Sequence, residues 1–485
     1  MQRNCHPICP TVTLRRWTAI RSMTALILII GSLAAGAQGN FYSAASTVWK
    51  DTSGSQMEVH GGSILWDSSN STYYWVGEAD DNSNNFSGIN CYSSTNLSSW
   101  TFVGDILPPE SSGDLVSSNV VQRPKILYNA ATKTYVMWLH IDNSGYSLNH
   151  AGVATSSTPC GTYTYQGSSQ PLGNPSFDIG AFQDTNGNAY LLTTDNGVGL
   201  RVELLSSNYQ SVSSQVAELP SMEGPAMIHD GSYYYIFASH LTGWAPNDNQ
   251  YATATSPSGT WSALADFAAP GTNTYSSQDS WILPVAGSSG TTYLYMGDRW
   301  DSSDLADSGY LWLPLHISGT TVSMDEYYEW TLNTSAGTWS VTPGTAPTTG
   351  SNTALINENS GMCLDVPNAS KTEGVQLEQW TCNGGTNQDW KLTSESSGYQ
   401  ILGENAGQVV DVAGQSITDG AKVDQWDWNS GSNQEWIFAN NGNGYFNIVN
   451  VNSGMCLDVV GASTSAGALI DQYLCNGGSN QLWKQ

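Results

Sequence analysis

Charged residues are scarce in this chain, and positively charged residues are the scarcest. Lys, Arg, Asp and Glu make up 11% of the 485 residues, against about 25% in an average soluble protein. There are 14 Lys and Arg against 41 Asp and Glu, so the formal net charge is −27. A basic surface for nucleic acid is excluded, because phosphates would be repelled. Helical patterns rich in Ala, Leu, Lys and Glu are nearly absent, which excludes a coiled coil or a helical bundle.

Glycine and aromatic residues are abundant, with 49 Gly, 24 Tyr and 19 Trp. Together with many Ser, Thr and Asn residues, this composition is typical of an all-β protein with short strands and many turns. The length predicts two or three domains. Aromatic planes also suit carbohydrate, since sugar rings have apolar faces that stack on them. We expect most of the aromatic residues to be core and a minority to bind sugar.

The N-terminal segment has the pattern of a secretory signal peptide. Arg15, Arg16 and Arg21 precede an apolar run over residues 23–35, and residues 35–37 are small, as at a cleavage site. We predict a signal peptide over residues 1–37 and a secreted, extracellular protein that has no membrane contact after the leader is removed. An uncleaved membrane anchor is the alternative, because the segment before the apolar run is long.

Cysteine spacing agrees with export. Cys363 and Cys382 are 19 residues apart, and so are Cys456 and Cys475. Equal spacing in an exported chain predicts two local disulfides. Cys91 and Cys160 remain as a candidate third pair. No Cys or His cluster has the spacing of a zinc site, so we predict no metal and no cofactor.

One sequence unit occurs three times after about residue 354. Each unit has an Asp in a short apolar strand. A triplet of an acidic residue, Gln and an aromatic residue follows, and the unit ends with Asn-Gln-x-Trp. The equivalent aspartates Asp365, Asp411 and Asp458 are 46 and 47 residues apart. Repetition of three features in one order predicts three structurally equivalent units, with the final Trp390, Trp436 and Trp483 in their core.

These units resemble the ricin-B-type lectin domain, a β-trefoil that would cover residues 354–485 after a linker at 341–353. The resemblance implies up to three shallow pockets for galactose or xylose. In each, an Asp accepts hydrogen bonds from sugar hydroxyls, an aromatic side chain stacks on the ring, and an Asn-Gln pair completes the rim. The implied residues are Asp365, Trp380, Asn387 and Gln388; Asp411, Trp426, Asn433 and Gln434; and Asp458, Tyr473, Asn480 and Gln481.

A weaker periodicity runs through residues 40–340. Five similar hairpins each end in an aromatic strand that follows a Gly, Asn or Ser turn; these strands start at Tyr73, Tyr135, Tyr190, Tyr233 and Tyr293. The intervals between them are long enough for one four-stranded sheet each. Five such sheets arranged radially make a five-bladed β-propeller. The predicted fold is therefore all-β, a five-bladed propeller followed by a β-trefoil.

A polar cluster precedes each aromatic strand. The clusters lie at residues 58–61, 122–125, 176–178, 222–225 and 277–280. If equivalent strands line the central axis of a propeller, these clusters converge at one end and share one pocket. A carboxylate crowded there by aromatic rings and other carboxylates would have a raised pKa. A raised pKa is what a general acid needs near neutral pH.

The propeller segments resemble family 43 glycoside hydrolases, and most closely the exo-β-1,3-galactanase subgroup. The segments that carry the resemblance are residues 121–125, 158–161, 222–225, 239–247 and 297–300. Members invert the anomeric carbon with an acid and a base roughly 6.5–9.5 Å apart. The resemblance implies that Glu223 is the general acid and that Gln278 stands in the place of the base. Since a neutral amide is a poor base, we expect Gln278 to position groups rather than to abstract a proton.

Gln122 departs from the subgroup, which usually has Glu at this place. Losing one negative charge would lower the pKa of Glu223 and would leave Arg123 without its usual partner. Glu78, Asp178 and Asp279 are carboxylates that could compensate, and we place Asp178 first as a substrate-binding or modulating acid. The candidate substrate-binding residues are Glu78, Asp178, His60, Tyr146, Trp244 and Arg299.

The sequence therefore favours a secreted exo-acting enzyme that releases galactose from β-1,3-galactan of the arabinogalactan type. A galactose-binding lectin module would hold it on the polymer. We expect a monomer whose partner is a polysaccharide or oligosaccharide. Two alternatives stay open at this point: an arabinofuranosidase or β-xylosidase of the same fold, and a non-catalytic sugar-binding protein.

Overall fold

The computed structural model describes residues 38–42, 49–195, 198–327, 329–341, 347–395, 398–440, 444–475 and 478–485. The predicted signal peptide at residues 1–37 lies outside the described residues, and so do residues 342–346 of the predicted linker. Among the described residues, no helix has both the length and the apolar character needed to span a membrane.

Residues 60–323 form five antiparallel sheets of four strands each, in which neighbours in sequence are neighbours in the sheet. This confirms the predicted all-β class and the five-bladed propeller. The five aromatic strands of the sequence each form the second strand of a blade. In order, the blades comprise His60–Asp67, Thr72–Asp80, Phe86–Ser94 and Thr101–Leu107; Val120–Asn129, Thr134–Asp142, His150–Ser156 and Thr164–Ser169; Ile179–Gln183, Ala189–Thr194, Leu200–Leu205 and Val212–Leu219; Glu223–Asp230, Tyr233–Ser239, Gln250–Ala254 and Ala265–Asp266; and Gln278–Ala286, Thr291–Arg299, Gly309–Ser318 and Thr321–Ser323.

The first strand of every blade lies next to the first strands of both neighbouring blades, so these five strands surround the axis. Four of them bulge close to their start, where one extra residue shifts the strand pairing. Gly61, Arg123 and Gly224 occupy three of these bulges with φ of 57°, 53° and 59°. Bulges redirect side chains next to active sites. Gly61 is required, because a Cβ there would approach the Glu78 carboxylate and the Arg123 backbone at 3.0–3.3 Å.

Side chains, and not a shared strand, join the first and fifth blades in the described residues. Lys125 is fully buried, and its ammonium donates to the carbonyls of Gly61 and Gly62 in blade 1 and Ser280 in blade 5, at 2.6, 2.8 and 2.9 Å. The Tyr310 hydroxyl of blade 5 accepts from the Val59 amide at 3.0 Å. Three donors on a charged ammonium suit a site lined by carbonyls.

A small sheet outside the blades covers the aromatic core. It comprises Gln38–Tyr42, Glu329–Asn333 and Thr338–Ser340. Phe41 stacks on Trp330 with ring centroids 4.5 Å apart, and both side chains are buried.

The predicted third disulfide, between Cys91 and Cys160, is present and ties blade 1 to blade 2. A one-turn helix at Asn273–Ser276 and short 3₁₀ turns at Pro171–Gly173 and Leu305–Asp307 complete this part.

Residues 352–484 form one thirteen-stranded sheet with a threefold recurring pattern. Trp390, Trp436 and Trp483 are fully buried, as predicted, and each indole donates to a backbone carbonyl two strands earlier in the chain at 2.9–3.0 Å. Disulfides join Cys363 to Cys382 and Cys456 to Cys475. The strands are Asn352–Thr353, Ile356–Asn357, Cys363–Asp365, Glu378–Trp380, Trp390–Ser394, Tyr399–Gly403, Val409–Val412, Ala421–Trp426, Glu435–Asn440, Phe446–Asn450, Cys456–Val459, Ala468–Tyr473 and Leu482–Lys484, with 3₁₀ turns at Pro367–Ala369, Thr386–Gln388, Ala413–Gln415, Ser432–Gln434, Val460–Ala462 and Ser479–Gln481.

Candidate active site

A cavity of about 410 Å³ lies where the first strands of the blades begin. Segments that are far apart in sequence meet there, as the propeller arrangement predicts. Its polar lining residues are Glu78, Gln122, Arg123, His140, Asp178, Thr194, Glu223 and Gln278. Its other lining residues are Tyr146, Phe177, Leu241, Gly243, Trp244 and Trp300. A mixture of aromatic walls and convergent polar groups is typical of a small-molecule site.

Glu223 is the first residue of blade 4 and projects into this cavity. Its Oε1 accepts hydrogen bonds from the backbone amide of Thr242 and from the side chain of Gln278, both at 3.1 Å. Burial raises the pKa of Glu223 to about 7, and the neighbouring carboxylate of Asp178 adds to the rise. A carboxyl group that is half protonated near pH 7 can act as a general acid.

Gln278, the first residue of blade 5, uses all of its hydrogen-bonding capacity. Its amide nitrogen donates to Glu223 and, at 2.9 Å, to the Ser239 hydroxyl. Its amide oxygen accepts from the Arg123 guanidinium and, at 2.8 Å, from the Trp300 indole. Because two donors and two acceptor positions are filled, the orientation of the amide is fixed.

Arg123 joins four blades beneath the cavity. Its Nε lies 2.9 Å from Oδ2 of Asp178 in an ion pair, and its backbone amide donates to Glu78 at 2.6 Å. The same Asp178 oxygen accepts from the backbone amide of Gly224 at 2.9 Å. Asp178, the first of the carboxylates that we expected to compensate at Arg123, supplies this partner from the third blade.

Two further carboxyl groups lie deeper in the ring. Glu78 is buried at the cavity floor, and burial together with the nearby Asp80 raises its pKa well above the usual value. Asp279 is fully buried next to the axis, and burial likewise raises its pKa well above the usual value. Asp279 is not one of the residues that line the cavity. Of these two carboxyl groups, Glu78 therefore belongs to the cavity lining and Asp279 to the buried ring around the axis.

Gln122 and Tyr146 stand together in the cavity wall. The side chain of Gln122 hydrogen-bonds the Tyr146 hydroxyl. Trp244 lies across the cavity on the loop after blade 4's second strand and meets Trp300 edge to face, with ring centroids 4.9 Å apart. Gln122, Tyr146 and Trp244 thus lie where the sequence predicted pocket residues.

Two predicted pocket residues lie elsewhere. His60 is fully buried and stacks on Tyr310 with ring centroids 4.7 Å apart, because the bulge at Gly61 follows it and turns it inward. The Arg299 guanidinium donates from Nε and Nη2 to the Tyr275 carbonyl at 3.1 and 2.9 Å. Neither residue lines the cavity that contains Glu223.

The sequence reasoning missed several lining residues. Trp300 follows Arg299 in a segment that carried the family resemblance, and Phe177 precedes Asp178 in one of the polar clusters. His140 ends an aromatic strand that the periodicity had identified. Each was therefore next to a residue already singled out, and only the direction of its side chain was missing. Leu241 and Gly243 lie within the segment 239–247 that carried the same resemblance, and Thr194 ends the aromatic strand Ala189–Thr194.

The C-terminal sheet places three similar polar groups at equivalent positions. In each unit the Asn side chain donates to the Asp carboxylate, with Asn387 to Asp365 at 2.7 Å and Asn433 to Asp411 at 2.6 Å. Asn480 donates to Asp458 in the same way. The aromatic residues Trp380, Trp426 and Tyr473 are 43, 40 and 37% exposed. An exposed aromatic platform beside an oriented carboxylate is suited to stacking and hydrogen bonding with a sugar.

The three glutamines of these units, Gln388, Gln434 and Gln481, are buried. Their amide nitrogens donate to the carbonyls of Thr381, Asp427 and Leu474 at 3.1, 3.0 and 2.8 Å. These amides hold the loop after the aromatic strand, and each Gln side chain also hydrogen-bonds the Asp of its unit, so their part in sugar binding stays a prediction.

The three units differ in the acidic residue that lies opposite the Asp on the neighbouring strand. Glu378, Asp424 and Asp471 pair with Asp365, Asp411 and Asp458 respectively. Lys422 lies 3.1 Å from Asp424, so the second unit contains an ion pair. In the third unit, burial and the neighbouring Asp458 raise the pKa of Asp471 to about 7.

Within the described ranges, no group of three or more His, Cys, Asp or Glu side chains could hold a metal ion.

Two family models match the chain. The model of glycosyl hydrolases family 43 matches residues 62–263, and the model of the ricin-type β-trefoil lectin domain matches residues 351–484. The first match contains Gln122, Asp178 and Glu223, and the second contains all three repeated units.

Solved structures extend this similarity over most of the chain. An exo-β-1,3-galactanase from Clostridium thermocellum is 37% identical with a TM-score of 0.61, and the match covers 92% of this chain and 99% of that one. An exo-β-1,3-galactanase variant from Phanerochaete chrysosporium, crystallised with β-1,3-galactotriose, is 31% identical with a TM-score of 0.62, and the match covers 92% of each chain. This chain is therefore a glycoside hydrolase that belongs to family 43 and carries a ricin-type lectin domain.

Proposed function

We propose that this protein is an inverting exo-glycosidase that releases galactose from β-1,3-galactan chains. The observation that carries the proposal is Glu223, a carboxyl group with a pKa of about 7 that lines an aromatic-walled cavity. Similarity to exo-β-1,3-galactanases supports the galactan substrate, and two of those crystal structures contain galactose or β-1,3-galactotriose.

In the proposed reaction Glu223 is the general acid. Below pH 7 it is mostly protonated, so it donates its proton to the glycosidic oxygen as the bond to the anomeric carbon breaks. Water attacks the opposite face of the sugar ring and releases its proton to bulk water, which returns a proton to Glu223 for the next cycle, and the released galactose has the inverted configuration. Donors on a single oxygen, from Thr242 and Gln278, fix the direction in which the acid presents its proton.

Gln278 is proposed as a positioning residue. Arg123 and Trp300 occupy its amide oxygen, so that oxygen has no lone pair left for a water proton. Its amide nitrogen donates to Glu223 and holds it in place. Asp178 is proposed to set the pKa of Glu223, since its carboxylate raises that pKa while its ion pair with Arg123 moderates the effect.

The C-terminal domain is proposed to be a β-trefoil that anchors the enzyme on polysaccharide. Three exposed aromatic side chains, each beside an Asn-oriented Asp, support up to three sugar contacts. Tethering raises the local concentration of substrate, and several weak contacts acting together exceed the affinity of any one. We further propose that the chain is exported after removal of residues 1–37 and acts as a monomer.

Product analysis tests the proposal. Purified enzyme is incubated with β-1,3-galactan, β-1,3-galactotriose and arabinoxylan, and the products are followed by NMR within seconds to minutes. We expect monomeric galactose, released first as the α-anomer, and no product from arabinoxylan. Release of arabinose or xylose without galactose would instead establish the alternative glycosidase. Binding of galactan without turnover between pH 3 and 8 would establish a sugar-binding protein.

A further inference from the structure

The loop of residues 240–249 supplies one of the two hydrogen bonds on Oε1 of Glu223. It joins the second and third strands of blade 4, and its Thr242 amide donates to Glu223 at 3.1 Å. The side chain of Gln278 supplies the other hydrogen bond from blade 5, also at 3.1 Å. Because the two donors lie on separate segments, Glu223 keeps its orientation only if the loop and the start of blade 5 keep a fixed mutual position.

Asn247 holds this loop in its shape. Its Oδ1 accepts from the His240 amide at 3.1 Å, and its Nδ2 donates to the His240 carbonyl at 3.0 Å and to Oγ1 of Thr242 at 2.7 Å. These three hydrogen bonds tie the end of the loop to its beginning, next to the amide that binds Glu223. Without them, Thr242 would be free to move away from the acid.

Asn249 joins the loop to blade 5. Its side chain is fully buried, and its Nδ2 donates to the Asn247 carbonyl at 2.9 Å and to the Ser277 carbonyl at 3.3 Å. Its Oδ1 accepts from the Asp279 amide at 2.7 Å. Ser277 and Asp279 are the residues on either side of Gln278. One buried amide therefore fixes the backbone on both sides of Gln278 and holds it against the loop.

We propose that Asn249 is a positioning residue for the reaction, because it sets the place of Gln278 relative to the loop that holds Glu223. The inference rests on the proposed function. Asn249 is not one of the residues that line the cavity, so it acts through groups that do. A displacement of about 1 Å can cost about 10²-fold in rate, and supporting hydrogen bonds are what hold reacting groups within that tolerance.

The same hydrogen bonds bear on the proton of Glu223. The Thr242 amide favours the ionised carboxylate and so lowers the pKa of Glu223, and the donor on Gln278 acts in the same direction. Loss of either donor therefore lets Glu223 keep its proton to higher pH. The charged and titratable groups near Glu223 are Arg123, Asp178, Glu78, His140 and Tyr146 in the cavity and His240 and Asp248 on the loop. Replacing an Asn by Ala changes none of these groups.

Asn249→Ala tests the proposal. Initial rates of galactose release from β-1,3-galactobiose give kcat and the plot of kcat/KM against pH. We expect kcat to fall by about tenfold or more, and the basic limb of the plot to move to higher pH. A merely structural role would lower the amount of folded enzyme without moving this limb.

Asn129→Ala is the matched control. Asn129 is also buried, but it ends the first strand of blade 2, at the end opposite to the cavity residue Gln122. Its side chain likewise joins three backbone groups, the Ser207 carbonyl and the amides of residues 131 and 132. We expect this variant to lose stability and to keep the wild-type kcat and basic limb.

Asn247→Ala is a second variant, and it decides the test if Asn249→Ala does not fold. Asn247 is only partly buried, so its replacement disturbs the loop and leaves the core intact. We expect the basic limb to move to higher pH here too, and to stay in place in Asn186→Ala, which alters an exposed turn of blade 3.

Three outcomes separate the inference from the proposed function. A wild-type kcat or an unmoved basic limb in a folded Asn249→Ala protein, with unchanged far-ultraviolet circular dichroism, overturns the inference and leaves the proposed function intact. An unmoved limb in Asn247→Ala does the same where Asn249→Ala is unfolded. Absence of galactose release by the wild type overturns the proposed function and, with it, the inference.

Discussion

The side-chain amide of Gln278 lies between the carboxyl group of Glu223 and the guanidinium of Arg123, donating to the first and accepting from the second. An amide has no net charge, so it separates an acid that must hold a proton from a cation that would favour the loss of that proton. Direct contact between Arg123 and Glu223 would lower the pKa of the acid. The intervening amide therefore helps to keep Glu223 protonated near neutral pH.

Removing the proton donor is expected to abolish most of the turnover. In Glu223→Gln the amide retains the shape of the side chain but cannot supply the proton, so kcat on galactobiose should fall by about 10²–10⁴-fold. Initial rates of galactose release measure the effect. Glu218→Gln, an exposed position in the preceding strand, serves as the control. Full activity in Glu223→Gln would remove Glu223 from the role of general acid.

Neutralising Asp178 should shift the pH profile to lower pH. The Asp178 carboxylate raises the pKa of Glu223, and Asp178→Asn removes that effect while leaving the Arg123 charge uncompensated. Both changes favour ionised Glu223, so the basic limb of the plot of kcat/KM against pH moves to lower pH. The control is Asp67→Asn, because Asp67 lies at the end of the first strand of blade 1, away from the cavity. This variant should leave the basic limb of the pH profile unchanged. A shift towards alkali in Asp178→Asn would contradict this electrostatic account.

Adding a carboxylate at Gln122 should have the opposite effect. Gln122 lines the same cavity as Glu223, and a second negative charge there disfavours ionisation of the acid. The basic limb of the pH profile in Gln122→Glu is therefore expected to move to higher pH. The surface variant Gln166→Glu, on the outer strand of the same blade, controls for net charge. Identical limbs in Gln122→Glu and wild type would show that this position does not act on Glu223.

Replacing Lys125 should destabilise the propeller. Lys125→Met removes the side-chain donor from the carbonyls of Gly61 and Ser280, whereas the Gly62 carbonyl still accepts from the Ser280 hydroxyl at 3.3 Å. Since each lost donor costs about 1–3 kcal/mol of unfolding free energy, we expect at least about 2 kcal/mol in total from denaturant titration. Lys133→Met, at an exposed turn in the same blade, should change stability by less than about 0.5 kcal/mol. Equal denaturation midpoints for Lys125→Met and Lys133→Met would mean that other contacts satisfy the carbonyls that Lys125 binds.

The exposed aromatic residues of the C-terminal domain should govern attachment to polymer. Replacing Trp380, Trp426 and Tyr473 together by Ala should lower binding to insoluble β-1,3-galactan by about 10²-fold or more, because three contacts act jointly. Single variants should have much smaller effects. The readout is the ratio of the rate on insoluble galactan to the rate on galactobiose, which falls in the triple variant. A constant ratio would show that the domain does not tether the enzyme.

The sequence was sufficient to predict the blades and the convergence of their first strands, and insufficient where the direction of a side chain decides what it contacts. The aromatic strands identified the second strand of every blade, because buried hairpins leave a strong pattern of Tyr, Leu and Val. His60 was misplaced, because the bulge at Gly61 reverses the face of the strand that meets the cavity. Such a bulge depends on tertiary contacts with Glu78 and Arg123, which no local pattern encodes.

The Asn-Gln pairs show that the sequence does not reveal side-chain direction even within a single 3₁₀ turn. Asn387 and Gln388 are adjacent in sequence, yet the first points to Asp365 and the second to the carbonyl of Thr381. Consecutive residues on a 3₁₀ turn are about 120° apart, so one can face a pocket while the next is buried. Recurrence of both residues in three units shows that both matter, without showing which faces outward.

Closure of the ring through Lys125 and Tyr310 has a consequence for heat inactivation. Each blade draws its four strands from one continuous segment, so parting the seam between blades 1 and 5 breaks no strand pairing within a blade. Opening that seam would separate Arg123 in blade 2 from Gln278 in blade 5, and Gln278 holds Glu223. Catalysis should therefore disappear on warming before the far-ultraviolet circular dichroism of the β-structure begins to change.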